Sequence, residues 1–447
     1  MLQFMGIFRA PRVGVLAAAA VLGLAGCGGT AGEGPAADAA CAPYAAYHGH
    51  GRTTVKIYGS IRDVEADKLT KSWEAFQACT GVTVDYQGSA DFEATLAGRV
   101  KDGDVPDLAF FPQPGLLAAM VHAGALKPAG RDVAANVDRY YSADWKRYGS
   151  VGGTLYGAPI DANVKSFVWY SPKFFAAKGY TVPETWDEML ALSDRIAADG
   201  VKPWCAGIES GSATGWPVTD WLEDTLLRTA GPDFYDQWVE HRVPFDDGRV
   251  VAALDRVGGI LRNPRYVNGG YGGVDSIATT AFQEGGLPIL QGTCALHRQA
   301  SFYTNWWPAN AEVSEDGDIY AFYLPPVDPS AGRPVLGAGV FAAAFTDRPE
   351  VQAVAAYLSS PGFADNRART GGVVSANREL DKSVLGTPLA KLSAALLTDP
   401  AVTFRFDGSD MMPAAVGSGS FWTGMTDWIE GEGTATVLHR IEGTWPA

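Results

Sequence analysis

Thr54-Val-Lys-Ile-Tyr58, Val82-Thr-Val-Asp-Tyr86 and Asp107-Leu-Ala-Phe-Phe111 are three short runs with strand character, and what lies between them decides the fold. Between the first two, Val64 to Ala78 has helical spacing, with Leu69, Trp73 and Phe76 on one side. Between the second and third, a helix is expected from about Phe92 to Val100. Strand, helix, strand, helix, strand predicts a parallel sheet whose binding loops gather at the carboxyl ends of its strands. Those loops begin at Gly59-Ser60, Gly88-Ser89 and Pro112-Gln113.

The α/β pattern continues outward from this unit. Leu155-Tyr-Gly-Ala-Pro159 leads into the strand Phe167-Val-Trp-Tyr170, and Ser171-Pro172 then opens a helix by the N-cap and first-turn-proline rules. Another helix begins at Pro183-Glu-Thr-Trp-Asp-Glu and is capped at Thr185. Further on, Pro334 to Phe345 is a continuous apolar run, Pro349 to Leu358 reads as a helix, and Val402 to Phe406 reads as a short strand.

At the other end of the 447 residues, Arg9 and Arg12 precede an apolar run from Val13 to Leu24 that closes in Leu24-Ala25-Gly26-Cys27. The run is too short to span a bilayer as a mature helix. Its ending resembles the lipobox of bacterial lipoproteins, which implies a signal peptide over 1–26, a lipid on Cys27 and a location on the outer face of the cytoplasmic membrane. No other stretch approaches about 18 consecutive apolar residues, so the lipid would be the sole membrane contact. The Gly-, Ala- and Pro-rich residues 27–52 are expected to be a flexible tether, with folded structure starting near Thr53.

Loss of the leader removes Arg9 and Arg12 and moves the net charge from -15 to -17, a field that makes nucleic acid a poor partner. With Cys27 lipidated, four of the five cysteines remain. In an oxidising compartment they allow three disulfide pairings. Cys41 with Cys79 and Cys205 with Cys294 are preferred, free buried thiols being the alternative.

Gly157-Ala-Pro159 through Trp169-Tyr-Ser-Pro172 and Pro183 to Glu188, together with Gly215-Trp-Pro-Val-Thr-Asp-Trp221, Cys294-Ala-Leu-His-Arg298 and Phe404 to Asp410, resemble segments of the alpha-glucoside-type sugar-binding proteins of ABC importers. The resemblance runs nearly the full mature length. It implies a two-lobed, periplasmic-binding-protein-like fold (type II), each lobe a mainly parallel α/β sheet, interleaved by hinge crossovers. Lobe 1 is expected over 53–158 and 337–372, and lobe 2 over 159–336 and 373–447. It also implies a monomeric receptor that takes an alpha-linked oligosaccharide into the interlobe cleft and docks on a membrane permease, without cofactor or covalent chemistry.

A neutral oligosaccharide offers hydroxyl rims and apolar C–H faces, so its receptor needs polar side chains beside aromatic platforms. Ser60, Ser89, Asp91 and Gln113 belong to the strand-end loops, and Asp161 and Lys165 sit just past the inferred crossover. Arg298 has a planar fork suited to two adjacent hydroxyls. Trp216, Trp221, Trp306, Trp307 and Trp422 lie near Gly or Pro breaks, and Trp216 and Trp306 are selected as platforms, whereas Trp221 reads as a core residue. Of the turn aspartates Asp407 and Asp410, the resemblance selects Asp410 as ligand-facing.

No G-x-S-x-G elbow, P-loop or H-E-x-x-H occurs, and His48 and His50 read as solvated. Two other readings remain: a receptor for a non-sugar solute, and a secreted enzyme acting on glycosides through a carboxyl pair.

Overall fold

The computed structural model describes residues 39–399 and 401–446, so the leader and Cys27 lie outside the described residues. The chain divides into a leading unit, 1–42, and one compact unit, 43–447. Of the first, residues 39–41 form a helical turn, and Cys41 is disulfide-bonded.

The three runs that open the sequence form β1 (Thr53–Gly59), β2 (Val82–Gly88) and β3 (Leu108–Phe111). β1 lies between the other two and pairs with both in parallel. The single helix expected over Val64 to Ala78 is two, Asp63–Lys71 and Glu74–Thr80. The break at Ser72 and Trp73 leaves Leu69, Trp73 and Phe76 all buried, and the Ser72 hydroxyl donates back to the Leu69 carbonyl at 2.5 Å. Hydroxyl side chains compete with the helix ladder in this way.

Next come β4 (Gly157–Val164), β5 (Phe167–Tyr170), β6 (Lys202–Trp204), β7 (Cys294–Arg298), β8 (Tyr320–Tyr323), β9 (Arg333–Ala344) and β10 (Val402–Phe406). β9 organises the large sheet. One of its edges carries β4 antiparallel over Gly337–Ala343; the other is divided between β10, parallel over Arg333–Gly337, and β3, antiparallel over Phe341–Ala344. The small sheet has the order β8-β5-β7-β6. Its β8–β5 and β5–β7 pairs are antiparallel, and β7–β6 alone is parallel, so this sheet is mixed rather than mainly parallel.

Two large hydrophobic cores result. One contains Val55, Phe110, Ile160, Ala162 and Phe341, and the other contains Val164, Trp169, Leu222, Leu296 and Leu336. The chain therefore changes core between Ala162 and Val164, and again between Leu336 and Ala338. Phe406 joins the first core, so β10, expected in lobe 2, closes the large sheet. Ala364, Ala368, Val374, Leu380, Leu385 and Ala394 form a small third cluster.

The tether expected over 27–52 is shorter than its composition suggests. Tyr44 and Tyr47 pack their rings against Phe76 and Tyr357 at 5.7–6.2 Å, and Asn366 Nδ2 donates to the Tyr44 hydroxyl at 3.2 Å. Two aromatic anchors outweigh the surrounding Ala and Gly. Cys205 and Cys294 are bridged, and Cys79 is also disulfide-bonded. The Cys205–Cys294 bond ties the end of β6 to the start of β7, inside the second core.

The core change in β9 leaves no room for a side chain at Gly337, where an added Cβ would stand 2.4 Å from Phe404 Cε2 and 2.8 Å from the Asn163 carbonyl oxygen. Gly337→Ala is expected to cost about 1–3 kcal/mol, read as a lowered urea midpoint with an unchanged m-value.

Candidate functional site

A cleft between the two cores encloses about 1010 Å³ of empty space, its mouth included. That is the scale of small-molecule sites. The first core contributes the loops that follow the three parallel strands: Ser60 to Arg62 after β1, Ser89 and Ala90 after β2, and Pro112 and Gln113 after β3. Glu65 and Glu93 stand in the first turns of the helices that these loops start. Gln113 Nε2 donates to Glu93 Oε1 at 3.0 Å, orienting both towards the cleft.

The floor comes from β4 and its turn. Successive strand side chains alternate between faces, so Ile160, Ala162 and Val164 enter the cores while Asp161, Asn163 and Lys165 line the cleft. The second core supplies an aromatic wall: the Trp216 ring lies 5.2 Å from Phe282 and 6.1 Å from Phe302, and Phe282 lies 5.9 Å from Trp306. Gly215, at φ +109, lets the chain pass against the Trp422 carbonyl before the helix Trp216–Ala230 begins; an added Cβ would lie 2.0 Å from that oxygen.

Beneath the floor is a buried ion cluster. Lys165 Nζ donates to Asp220 Oδ1 at 2.8 Å and to Asp407 Oδ2, and lies 5.2 Å from the centre of the Trp216 ring. Arg298 reaches Asp220 at 3.4 Å and Asp224 at 3.0 Å, and Asp224 also binds Arg228 and the Ser166 hydroxyl. Glu223 accepts the amides of Gly408 and Ser409 at 2.6 and 2.9 Å, and Asp407 Oδ1 accepts the Asp410 amide at 3.0 Å. The helix Trp216–Ala230 thus presents Asp220, Glu223, Asp224 and Arg228 inward at three- and four-residue spacing.

Burial pushes Asp220 up to about 7 although Lys165 pulls it down. Burial and the Asp407 charge raise Asp410 well above the ordinary carboxyl range. Asp407 itself resists burial because Lys165 and its hydrogen bonds hold it low. At the cleft, burial raises Glu65 to about 7 and Asp161 to about 6, with Arg367 opposing both.

Of the residues selected from sequence, Ser60, Ser89, Gln113, Asp161, Lys165, Trp216, Trp306 and Asp410 line this cleft. Asp161 and Lys165 do not pair with each other; Asp161 faces Arg367 at 3.9 Å. Arg298 is outside the cleft, its fork occupied by Asp220 and Asp224. Asp91 precedes the helix Phe92–Asp102 on the exposed rim, without a capping bond from its side chain. Trp422 lines the cleft, whereas Trp221 packs on Trp204 and Trp307 on Trp169.

Sequence reasoning did not select Glu65, Asn163, Phe282 or Phe302. A period-two reading of β4 would have found Asn163; the two phenylalanines lie in segments without regular periodicity and carried no such signal. Gln113 Oε1, Asn163 Oδ1, Trp306 Nε1 and Trp422 Nε1 are buried polar atoms of lining residues without a hydrogen-bond partner among the described residues. Among those residues, no His, Cys, Asp or Glu cluster is arranged for a metal, and no helix is long and apolar enough to cross a membrane.

Two α/β lobes sharing crossing strands, with a polar and aromatic cleft between them, define a two-lobed solute-binding architecture. The chain belongs to the bacterial extracellular solute-binding protein family, whose model matches residues 63–364. It is 42% identical over 398 residues to the osmoprotective compounds-binding protein GgtB of Synechocystis, covering 88% of this chain and 93% of that one. It is 38% identical over 403 residues to the alpha-glucosides-binding periplasmic protein AglE of Rhizobium meliloti, covering 88% and 87%. Among solved structures, the solute receptor AcbH superposes with a TM-score of 0.74 at 19% identity, over 88% of this chain and 98% of that one. Maltose-bound MalE3 of T. maritima does so at 0.66 and 17%, over 88% and 98%.

Lys165→Met leaves Asp407 buried without its cation and Asp220 with Arg298 alone, and is expected to cost about 3–5 kcal/mol in chemical unfolding. Asp220, Glu65 and Asp161 have folded pKa values above the ordinary carboxyl range. Their contribution to stability is therefore full below the unfolded pKa and is lost as pH rises to the folded values, so Tm should fall between about pH 4 and about pH 7 and level off above.

Proposed function

We propose that this chain is the lipid-anchored substrate receptor of an ABC sugar importer, and that it captures a small alpha-glucoside between its lobes for delivery to a permease. The observation that carries this reading is the aromatic wall of Trp216, Phe282, Phe302 and Trp306 across from Ser60, Ser89, Gln113 and the Glu93 carboxyl. A sugar ring stacks its C–H face on the first and exchanges hydroxyl hydrogen bonds with the second. The four unpartnered atoms of Gln113, Asn163, Trp306 and Trp422 are two acceptors and two donors, the mixture that hydroxyl groups satisfy.

The ligand named for AglE supports an alpha-glucoside, and the one named for GgtB supports a compact osmoprotective solute. A disaccharide suits both names, and a disaccharide or short maltodextrin suits the cleft. β4, β9 and β10 are the proposed hinges, where the chain changes core or joins the two. The functional species is a monomer whose ligand shifts an open–closed equilibrium without being transformed. A cationic non-sugar solute is the second reading, favoured by the four cleft carboxyls of Glu65, Glu93, Asp161 and Asp410.

Calorimetry with maltose, trehalose, sucrose, maltodextrins and linear amines separates these readings: a sugar is expected to bind, and binding of amines alone overturns the proposal. Turnover of any bound sugar would establish an enzyme instead. Trp216→Ala is expected to weaken sugar binding by about 1.5–3 kcal/mol, roughly ten- to a hundredfold, without changing the far-UV spectrum. Cys27→Ala should move the protein from the membrane fraction to the medium or periplasm; unchanged fractionation removes the lipid from the proposal.

A further inference from the structure

Two hydrogen bonds between the lobes, Lys68–Asn305 and Ser212–Ala90, come from side chains that do not line the cleft. Lys68 lies one turn beyond Glu65 in the helix Asp63–Lys71, which packs on the first core through Leu69. Its Nζ donates at 2.6 Å to Asn305 Oδ1, which belongs to the second core's segment between Phe302 and Trp306. Asn305 is wedged in place: a Cβ on Gly372 would stand 2.1 Å from the same oxygen. At the second point, the Ser212 hydroxyl donates to the Ala90 carbonyl at 3.3 Å. Gly211, at φ +60, lies in the second core's loop there, where an added Cβ would be in ordinary contact with the Ala90 oxygen at 3.5 Å and Asp91 Oδ1 at 3.7 Å. This places Asp91 on the seam of closure rather than on the cleft wall.

We propose that Lys68–Asn305, assisted by Ser212–Ala90, is a latch that holds the lobes together and thereby sets the affinity for any solute the cleft accepts. Among the described residues Lys68 has no carboxylate within ion-pair distance, so its strongest polar partner lies on the opposite lobe. Hydrogen bonds from an ammonium are stronger than neutral ones, and opening the cleft surrenders this one. A solute that binds only the closed form has its apparent Kd divided by the closed fraction. The latch therefore adds affinity without touching ligand, and Lys68 and Asn305 are positioning residues. This inference does not depend on the ligand being a sugar.

The test labels one exposed site on each lobe, Lys101 and Glu240 replaced by cysteine, and reads single-molecule energy transfer with and without solute. Lys68→Met is expected to lower the closed-to-open ratio about tenfold, and Asn305→Asp, which turns the bond into an ion pair, to raise it. Asn305→Asp combined with Lys68→Met should fall to the Lys68→Met value or below. Ser212→Ala should give a smaller shift in the same direction as Lys68→Met. For any solute that closes the parent protein, Kd should rise by the factor by which the closed fraction falls. Equal ratios in all variants, with the far-UV spectrum and melting temperature retained, overturn the latch. If no sugar alters the transfer, the sugar reading fails, while the solute-free ratios still decide the latch.

Discussion

Lys165 is the residue on which the rest of this structure depends. It follows β4 at the point where the chain leaves one core for the other, its amide donates to the Leu336 carbonyl at the matching point of β9, and its ammonium joins Asp220 to Asp407. Asp407 in turn donates its amide to the Gly337 carbonyl, so all three crossing strands meet at one cation and its acceptors. A buried ion pair is expensive to assemble and more expensive to break from one side. Here the cost is offset by closure of the network: Arg298 and Arg228 complete the acidic partners, and Ser166 links Asp224 to the Leu336 amide.

That arrangement separates rigidity from motion. The cleft floor is fixed through Lys165 by Asp220 and Asp407, which do not themselves line the cleft, while the walls come from different cores and meet the floor from opposite directions. The first lobe supplies short polar side chains on strand-end loops, and the second supplies aromatic rings carried by a helix N-terminus and a 3₁₀ turn. A strand can bend at the core change without disturbing either wall, because each wall is packed into its own core. The solute-binding architecture follows from that partition.

The large sheet was legible because its signals are local. β1, β2, β3 and the helical character of the segments between them follow from apolar spacing, and Thr185 caps its helix where the sequence places it. The expected loops after β1, β2 and β3 do line the cleft, since parallel strands bring their carboxyl ends together whatever the side chains are. Arg298 shows where local reading stopped. Its segment was located, but whether the guanidinium meets a ligand or a carboxylate depends on Asp220 and Asp224, more than seventy residues away. The docking of Tyr44 was equally invisible, since its partners Phe76 and Tyr357 come from distant parts of the chain.

By itself the sequence determined the α/β class, the strand-end loops, the helix caps and the residue types of a cleft that suits a hydroxylated solute, because each follows from periodicity or backbone chemistry within a few residues. Only the tertiary structure decided which of five tryptophans face the cleft, which aspartate of the Asp407–Asp410 turn is bound to Lys165, and that β10 belongs to the large sheet. These outcomes are set by competition among distant groups for buried space and for a small number of buried cations.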